Sequence, residues 1–241
     1  MTDTSSAKVT ASDNRPKGLS GLVEDWSSDQ RAFKNVSWRK AMMWIFLLSD
    51  TFIFSCFLIS YMSARSSTPI PWPNASEVFA LEVFGVHVPL LLIAIMTFVL
   101  ITSSGTMALA VKFGYERKRK LCALFIFLTA IGGLTFVGMQ AFEWSKLIFE
   151  EGIRPWSNPM GANQFGAIFF MVTGFHGTHV TIGVIFLFIF ARKTWRGDFE
   201  SGKRGFFTSM KSDYVAIEIL GLYWHFVDLV WVFIFAFFYL W

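Results

Sequence analysis

The sequence predicts an all-α membrane protein whose five transmembrane helices form a bundle. Of its 241 residues 54% are apolar, and the mean hydropathy is +0.50. The apolar residues are collected in five runs, each long enough for the roughly 20 residues that a helix needs to cross a bilayer. These runs are 41–62, 86–111, 121–142, 165–191 and 214–240. They are too long for strands of a membrane β-barrel and lack strict alternation of apolar and polar residues.

The first 40 residues differ from the rest of the chain. Residues 1–20 are polar and contain no apolar core of the kind that a signal peptide needs. We expect residues 1–40 to form a cytoplasmic tail that is disordered or lies on the membrane surface, followed by a five-helix domain at 41–241. Trp26, Phe33 and Trp38 alternate with basic residues, which favours a surface-lying segment, although a solvated tail fits the same residues.

The basic residues predict the orientation in the membrane. Eighteen of the 21 Lys and Arg residues fall in the tail, in the loop after the second run and in the loop after the fourth. Since basic loops stay on the cytoplasmic side, the N-terminus is expected in the cytoplasm and the C-terminal end outside. The net charge of +4 reflects these loops, so it does not indicate nucleic-acid binding.

No known catalytic motif is present in the chain. The sequence contains no GxSxG, HExxH or P-loop pattern. Cys56 and Cys122 lie in no metal-ligand spacing, and their expected depths in the membrane disfavour a disulfide, so both are interpreted as packing residues. Glycines in the third and fourth runs predict close helix contacts; they are Gly132, Gly133, Gly138, Gly174, Gly177 and Gly183.

Ionisable residues inside the apolar runs are the most informative feature. A charge in the hydrocarbon core costs at least about 2.5–3.5 kcal/mol, so each such residue needs a partner or a function. His176 and His179 are three residues apart and share one helix face. The complete set is Asp50, Glu143, His176, His179, Glu218, His225 and Asp228.

Three interpretations compete for this polar set. Metal or haem ligation is disfavoured because four histidines give no closed ligand set. An ion path through the chain itself is disfavoured because five helices without an internal repeat make a poor transporter. We favour a structural role, in which the groups hydrogen-bond to one another, fix the helix packing, and bind lipid or a partner subunit.

Two long motifs resemble signatures of subunit III of the haem–copper terminal oxidases. The segment 174–180, GFHGTHV, resembles that family's GFHGxHV signature, and 223–231, YWHFVDLVW, resembles its terminal YWHFVDxVW segment. In addition, QAFEW at 140–144 is similar to the family's QAxEY/W stretch, and Glu218 matches a family glutamate. Ser49-Asp50 stands where cytochrome c oxidase members usually have Ser-Glu.

The resemblance implies a subunit that carries no haem or copper and packs beside the catalytic subunit I, with subunit II in the same complex. Such subunits bind phospholipid in a cleft, support proton uptake into subunit I and protect the complex from turnover inactivation. By motif position Asp50 matches the carbodiimide-reactive carboxylate, which makes it the proton-uptake candidate. The positions expected to hold helices and lipid are Glu143, His176, His179, Glu218, Trp224, His225 and Asp228.

Two departures from the family pattern bear on the type of oxidase. Many members have seven helices, so with five the lipid cleft is expected to be absent or to be completed by another subunit. Asp50 in place of Glu resembles quinol oxidases, whereas the wording of the two long motifs resembles cytochrome c oxidases. An accessory protein of nitric oxide reductase shares the family fold and is a further alternative.

We therefore expect subunit III of a proton-pumping cytochrome c oxidase in aerobic respiration, located in a bacterial cytoplasmic membrane. Subunit III of a quinol oxidase is the alternative within the family. An autonomous membrane transporter is the alternative of a different class.

Overall fold

The computed structural model describes residues 38–74, 78–83, 86–199, 204–205, 208–211 and 214–241. Residues 1–37, which make up most of the predicted tail, lie outside the described residues. The chain divides into two compact units between Met42 and Met43, and the helix bundle belongs to the second unit, residues 43–241.

Five long helices dominate the described part of the chain, and all five are long and apolar enough to span a membrane. This confirms the predicted all-α, five-helix membrane fold. The helices are α1 (Trp38–Ser67), α2 (Leu91–Tyr115), α3 (Arg119–Phe149), α4 (Asn163–Arg196) and α5 (Val215–Phe235). The last helix continues as a π-helical turn, Ala236–Leu240.

Two short antiparallel hairpins occupy loops between helices. The first pairs β1 (Ala80–Val83) with β2 (Val86–Pro89), and the second pairs β3 (Arg204–Gly205) with β4 (Thr208–Lys211). The predicted start of the second helix at Val86 is therefore wrong. Pro89 disfavours helix in the residue before it, and Leu90 takes a left-handed conformation with φ 59°, so α2 begins at Leu91.

Helices α2 to α5 form the body of the bundle. In it α2 packs against α3 and α5, and α4 packs against the same two helices. By contrast α1 lies at the periphery, because 17% of its most apolar 18-residue window is buried, against 50% for the window of α5. Cys122 is buried, as expected of a packing residue. Cys56 on α1 is exposed, so the packing role expected for it is not seen within the described chain.

The centre of the bundle is the indole ring of Trp224, which is fully buried. A Cβ atom built on Gly133 of α3 would lie 2.4 Å from Trp224 Cη2, and one on Gly183 of α4 would lie 3.0 Å from Trp224 Cζ3. On the α2 side, Trp224 Nε1 donates a hydrogen bond to Ser103 Oγ over 3.1 Å. One side chain of α5 therefore contacts the other three helices of the bundle body.

The predicted glycine contacts are only partly present. Ser103 lies 2.9 Å from a Cβ built on Gly132, and the Trp144 ring lies 3.2 Å from one built on Gly174. By contrast, a Cβ on Gly138 or Gly177 would meet no atom of this chain within 4 Å. The prediction is wrong for these two glycines as far as contacts within the described chain are concerned.

Aromatic side chains attach α1 to the bundle body at three depths. Phe46 stacks on Tyr223 with centroids 6.3 Å apart, and Phe54 lies 5.3 Å from Phe175. Near the far end, the ring centroids of Tyr61 and Phe238 are 4.1 Å apart. Since α1 is held mainly by side chains, its position depends on a few large residues.

Gly133→Ala should destabilise the protein, whereas Gly138→Ala should not. Both changes gain the same intrinsic helix propensity on α3, but only the first pushes a methyl group into Trp224 and Val184. Overpacking of this kind costs about 1–3 kcal/mol. Thermal unfolding of the two purified variants in one detergent, followed by circular dichroism, measures the difference. Equal midpoints for the two variants would contradict the central role of Trp224.

Candidate functional site

The buried carboxylate of α1 faces a histidine of α4. Asp50 is 4% exposed, and its Oδ2 lies 3.3 Å from His179 Nε2. Phe54 and Phe175 pack their rings against the imidazole, with centroids 5.7 and 4.7 Å away. The pair therefore lies in an apolar enclosure between the peripheral helix and the bundle body.

The ring hydrogen bond of His179 determines which of its nitrogens faces Asp50. Its Nδ1 lies 2.8 Å from the carbonyl oxygen of Phe175. A carbonyl only accepts, so Nδ1 carries a hydrogen and Nε2 is the nitrogen that faces Asp50. Attraction between Nε2 and Oδ2 requires one further proton, on either the imidazole or the carboxyl. In the structure the carboxylate and the imidazole face each other at 3.3 Å, and Asp50 Oδ2 has no hydrogen bond in the described chain.

A second buried carboxylate, Glu143 of α3, is fully hydrogen-bonded by neutral groups. Tyr239 donates from its hydroxyl to Glu143 Oε1 over 3.0 Å, and Gln140 donates from Nε2 to Oε2 over 2.9 Å. Tyr239 lies in the π-helical turn that follows α5. This network therefore ties the end of the last helix to α3.

Helices α2 and α5 are joined by polar contacts at several depths. Tyr115 donates its hydroxyl hydrogen to Glu218 Oε2 over 2.6 Å, and His225 Nδ1 lies 2.6 Å from Ser104 Oγ. Farther along, Trp231 Nε1 donates to Thr97 Oγ1 over 3.1 Å. The predicted polar stripe of α5 therefore faces α2.

Asp228 and His176 are the most enclosed of the remaining polar residues. Asp228 is 7% exposed and lies next to Ser104, but neither of its carboxylate oxygens makes a hydrogen bond of good geometry within the described chain. His176 is 1% exposed and donates from Nε2 to the carbonyl oxygen of Val227 over 3.2 Å. Its ring also packs between Phe136 and Trp231, with centroids 5.8 and 5.3 Å away. We expected the buried charges to hydrogen-bond to one another. In the described chain Asp50 and His179 approach each other to 3.3 Å, but Asp50 Oδ2 makes no hydrogen bond.

An apolar groove of about 710 Å³ separates α1 from α5. Its walls are mostly Leu, Ile and Phe side chains, and its polar lining is Thr51, Ser55 and His225. At one end of α1 a second cleft of about 500 Å³ is lined by Arg65, whose guanidinium lies 4.3 Å over the Trp241 ring. Arg65 forms no ion pair within the described chain. An apolar groove and an unpaired cation thus occur on the same peripheral helix.

No cluster of three metal-ligating side chains occurs among the described residues, since no three His, Cys, Asp or Glu side chains there come close enough together to hold a metal. In addition, His176 and His179 each use one nitrogen on a backbone carbonyl. The polar side chains described in this site therefore serve as hydrogen-bonding groups.

Several residues of the site carry no signal in the sequence motifs. Ser103, Ser104 and Tyr115 of α2 bond the aromatic and acidic groups of α5, and Tyr239 completes the Glu143 network. Hydroxyl side chains are common in membrane helices and usually bond their own backbone, so their partners are not evident from a sequence. The one available signal is the group Ser103, Ser104 and Thr106 inside an otherwise apolar run.

Comparison with known proteins gives consistent matches over the membrane domain. A family model described as "Cytochrome c oxidase subunit III" matches residues 30–241. A probable cytochrome c oxidase subunit 3 of Rickettsia bellii is 33% identical over 205 residues, which cover 82% of this chain and 67% of that protein. A probable quinol oxidase subunit 3 of Staphylococcus saprophyticus is 27% identical, over 86% of this chain and 90% of that protein. A probable quinol oxidase subunit 3 of Staphylococcus epidermidis is 30% identical, over 82% and 86%.

Single substitutions in the Asp50–His179 pair should cost more than the double substitution. Asp50→Leu or His179→Phe leaves one buried polar group facing an apolar side chain, which costs on the order of 3 kcal/mol. The combined variant removes both polar groups and should recover most of that loss. Denaturant unfolding of the four proteins measures the coupling, and the exposed Ser63→Ala on α1 serves as the control. Losses that simply add in the double variant would contradict a paired arrangement.

Proposed function

Because the chain belongs to the cytochrome c oxidase subunit III family, we propose that it serves a proton-pumping terminal oxidase of the cytochrome c type in aerobic respiration. Membership of a haem–copper oxidase complex follows from the family, whose relatives include cytochrome c and quinol oxidase subunits. The observation that carries the proposal is the family match along the whole membrane domain.

The cytochrome c type is supported by the two long motifs and by the identity to the rickettsial relative. The quinol type is the alternative, and its support is Asp50 together with the similar length of the staphylococcal relatives. Asp50 lies in the membrane beside His179 and not in a binding site for the electron donor. Its position therefore does not distinguish the two types of oxidase.

We propose that this chain is a non-catalytic subunit that stabilises a partner. No described cluster fits a redox metal, whereas the buried polar groups tie helices together. Subunits I and II are the proposed partners, and haem and copper belong to them. Asp228 supports a partner contact, because this buried carboxylate, although next to Ser104, makes no hydrogen bond of good geometry in the described chain.

The Asp50–His179 pair is the proposed link to proton uptake. It places a carboxylate and an imidazole, two groups whose chemistry allows them to bind protons, face to face in an apolar enclosure. Because Asp50 lies on the loosely packed α1, the pair is next to the lipid or subunit that covers that helix in the complex.

Phospholipid is the proposed ligand of α1. The groove of about 710 Å³ between α1 and α5 offers an apolar surface for acyl chains. Arg65, one turn beyond the groove residue Met62, offers for a phosphate a guanidinium that has no ion pair among the described residues. We propose a bacterial cytoplasmic membrane as the location, with the N-terminus in the cytoplasm, because loops rich in Lys and Arg favour the cytoplasmic side.

Purification of the tagged chain from its native membrane tests the proposed complex. It should bring down a large haem-bearing subunit, and the preparation should consume oxygen with a reduced donor. Reduced cytochrome c should support faster oxygen uptake than a quinol. Preference for quinol would replace the proposed type with the alternative. A stable haem-free chain that transports a solute would contradict the oxidase proposal itself.

Asp50→Asn should leave oxygen reduction in place but shorten the catalytic lifetime or slow proton uptake. The amide keeps the shape of the carboxylate but cannot bind and release a proton. Turnover decay and proton pumping of the variant complex, reconstituted in vesicles, are compared with the exposed Glu150→Gln as the control. Unchanged lifetime and pumping in Asp50→Asn would remove Asp50 from proton uptake.

A further inference from the structure

A further groove lies between α3 and α4. It is distinct from the groove between α1 and α5 and from the cleft at Arg65. Its volume is about 320 Å³, and it runs from Phe136 to Trp144 on α3 and from Thr173 to Ile182 on α4. Pockets of this size with apolar walls and a few polar groups are typical small-molecule sites.

Two polar atoms of groove-lining side chains have no partner. Gln140 is 6% exposed, and its Nε2 bonds Glu143, but its Oε1 has no hydrogen bond within the described chain. Trp144 Nε1 is also buried and without a hydrogen bond there. An amide oxygen only accepts and an indole nitrogen only donates. A hydroxyl group can both donate to an amide oxygen and accept from an indole N–H.

The other polar groups of the groove are already satisfied. Thr178 donates to the carbonyl oxygen of Gly174 over 2.9 Å, and Thr181 donates to that of Gly177 over 2.7 Å. Thr173 likewise donates to the carbonyl oxygen of Phe169 over 2.7 Å. The hydrogen-bonding requirement of the groove is therefore restricted to Gln140 and Trp144.

Gly177 leaves space in the groove that this chain does not use. A Cβ at this position would meet no atom within 4 Å, although Gly177 lines the groove. The absence of a side chain at Gly177 therefore does not serve packing within the chain. It leaves the groove open to a molecule from outside the chain.

The length of the groove indicates the kind of occupant. From Phe136 to Trp144 the α3 helix rises about 12 Å, less than half of a bilayer core of about 30 Å. A partner helix would contact α3 and α4 across the whole core, whereas one lipid occupies one leaflet. Trp144 lies near the loop end of α3, where tryptophan marks the membrane interface.

We propose that this groove binds one lipid whose head group bears a hydroxyl, from the leaflet next to the α3–α4 loop. Its chain lies over Gly177, and its hydroxyl donates to Gln140 Oε1 and accepts from Trp144 Nε1. This site differs from the proposed phosphate contact at Arg65, and it does not depend on which electron donor the oxidase uses.

Lipid binding to the purified full chain, with any subunits that accompany it, tests the proposal. The probes are phosphatidylglycerol and phosphatidylethanol with identical acyl chains, because they carry the same charge but only the first has a head-group hydroxyl. Native mass spectrometry of the delipidated protein should show about three- to tenfold tighter binding of phosphatidylglycerol at one site, as one or two hydrogen bonds would give.

Three variants complete the test. Gly177→Leu should remove that site, whereas Gly138→Leu, at an exposed glycine of α3 outside the groove, should keep it. Trp144→Phe should bring the two lipids to within about twofold of each other. Arg65→Gln should weaken both lipids equally at the other cleft and leave the hydroxyl preference, which separates the two sites.

Four results would overturn the proposal. They are equal binding of the two lipids by the parent protein, equal loss in the two glycine variants, an unchanged preference in Trp144→Phe, or a groove filled by a helix of a partner subunit. A direct hydrogen bond from Trp144 to Gln140 or a trapped water would give the first and third of these results.

Discussion

The packing of one indole ring against two glycines and a serine governs the arrangement of the bundle. Trp224 of α5 occupies the space that side chains at Gly133 and Gly183 would fill, and its Nε1 donates to Ser103. Helices in a bilayer gain little from burying apolar surface against one another, so close packing and interhelical hydrogen bonds must hold them. Trp224 supplies both the close packing and the hydrogen bond at the point where α2, α3, α4 and α5 meet. The other interhelical contacts lie around it.

Away from this centre, the polar groups divide into two classes. Between α2 and α5, and between α3 and the π-helical turn, each carboxylate or indole finds a neutral hydroxyl or amide of the chain itself. Two carboxylates are met only in part: Asp50 of the peripheral α1 faces one histidine, and Asp228 of α5, next to Ser104, makes no hydrogen bond of good geometry in the described chain. Since an unmet polar group is costly in hydrocarbon, a donor from lipid or from another subunit would stabilise the chain at these two carboxylates.

Much of this architecture is readable from the sequence. The five apolar runs give the five helices because a bilayer imposes a minimum length and composition on each span. The start of α2 was not readable from hydropathy, since Val86–Pro89 is as apolar as a helix but pairs as a strand before a left-handed Leu90. Spacing along α5 placed Glu218, His225 and Asp228 on one side. It gave no information on their partners, because Tyr115 and Ser104 lie more than 100 residues away in the chain.

The distance in sequence between Asp50 and His179 has a consequence for biosynthesis. The two residues are 129 positions apart, so ribosomes that add about 5–20 residues per second make His179 roughly 6 to 26 seconds after Asp50. During that interval the first span has no imidazole beside its acid. The nascent α1 must therefore enter the bilayer with Asp50 neutral, or remain against the insertion machinery until the fourth span arrives.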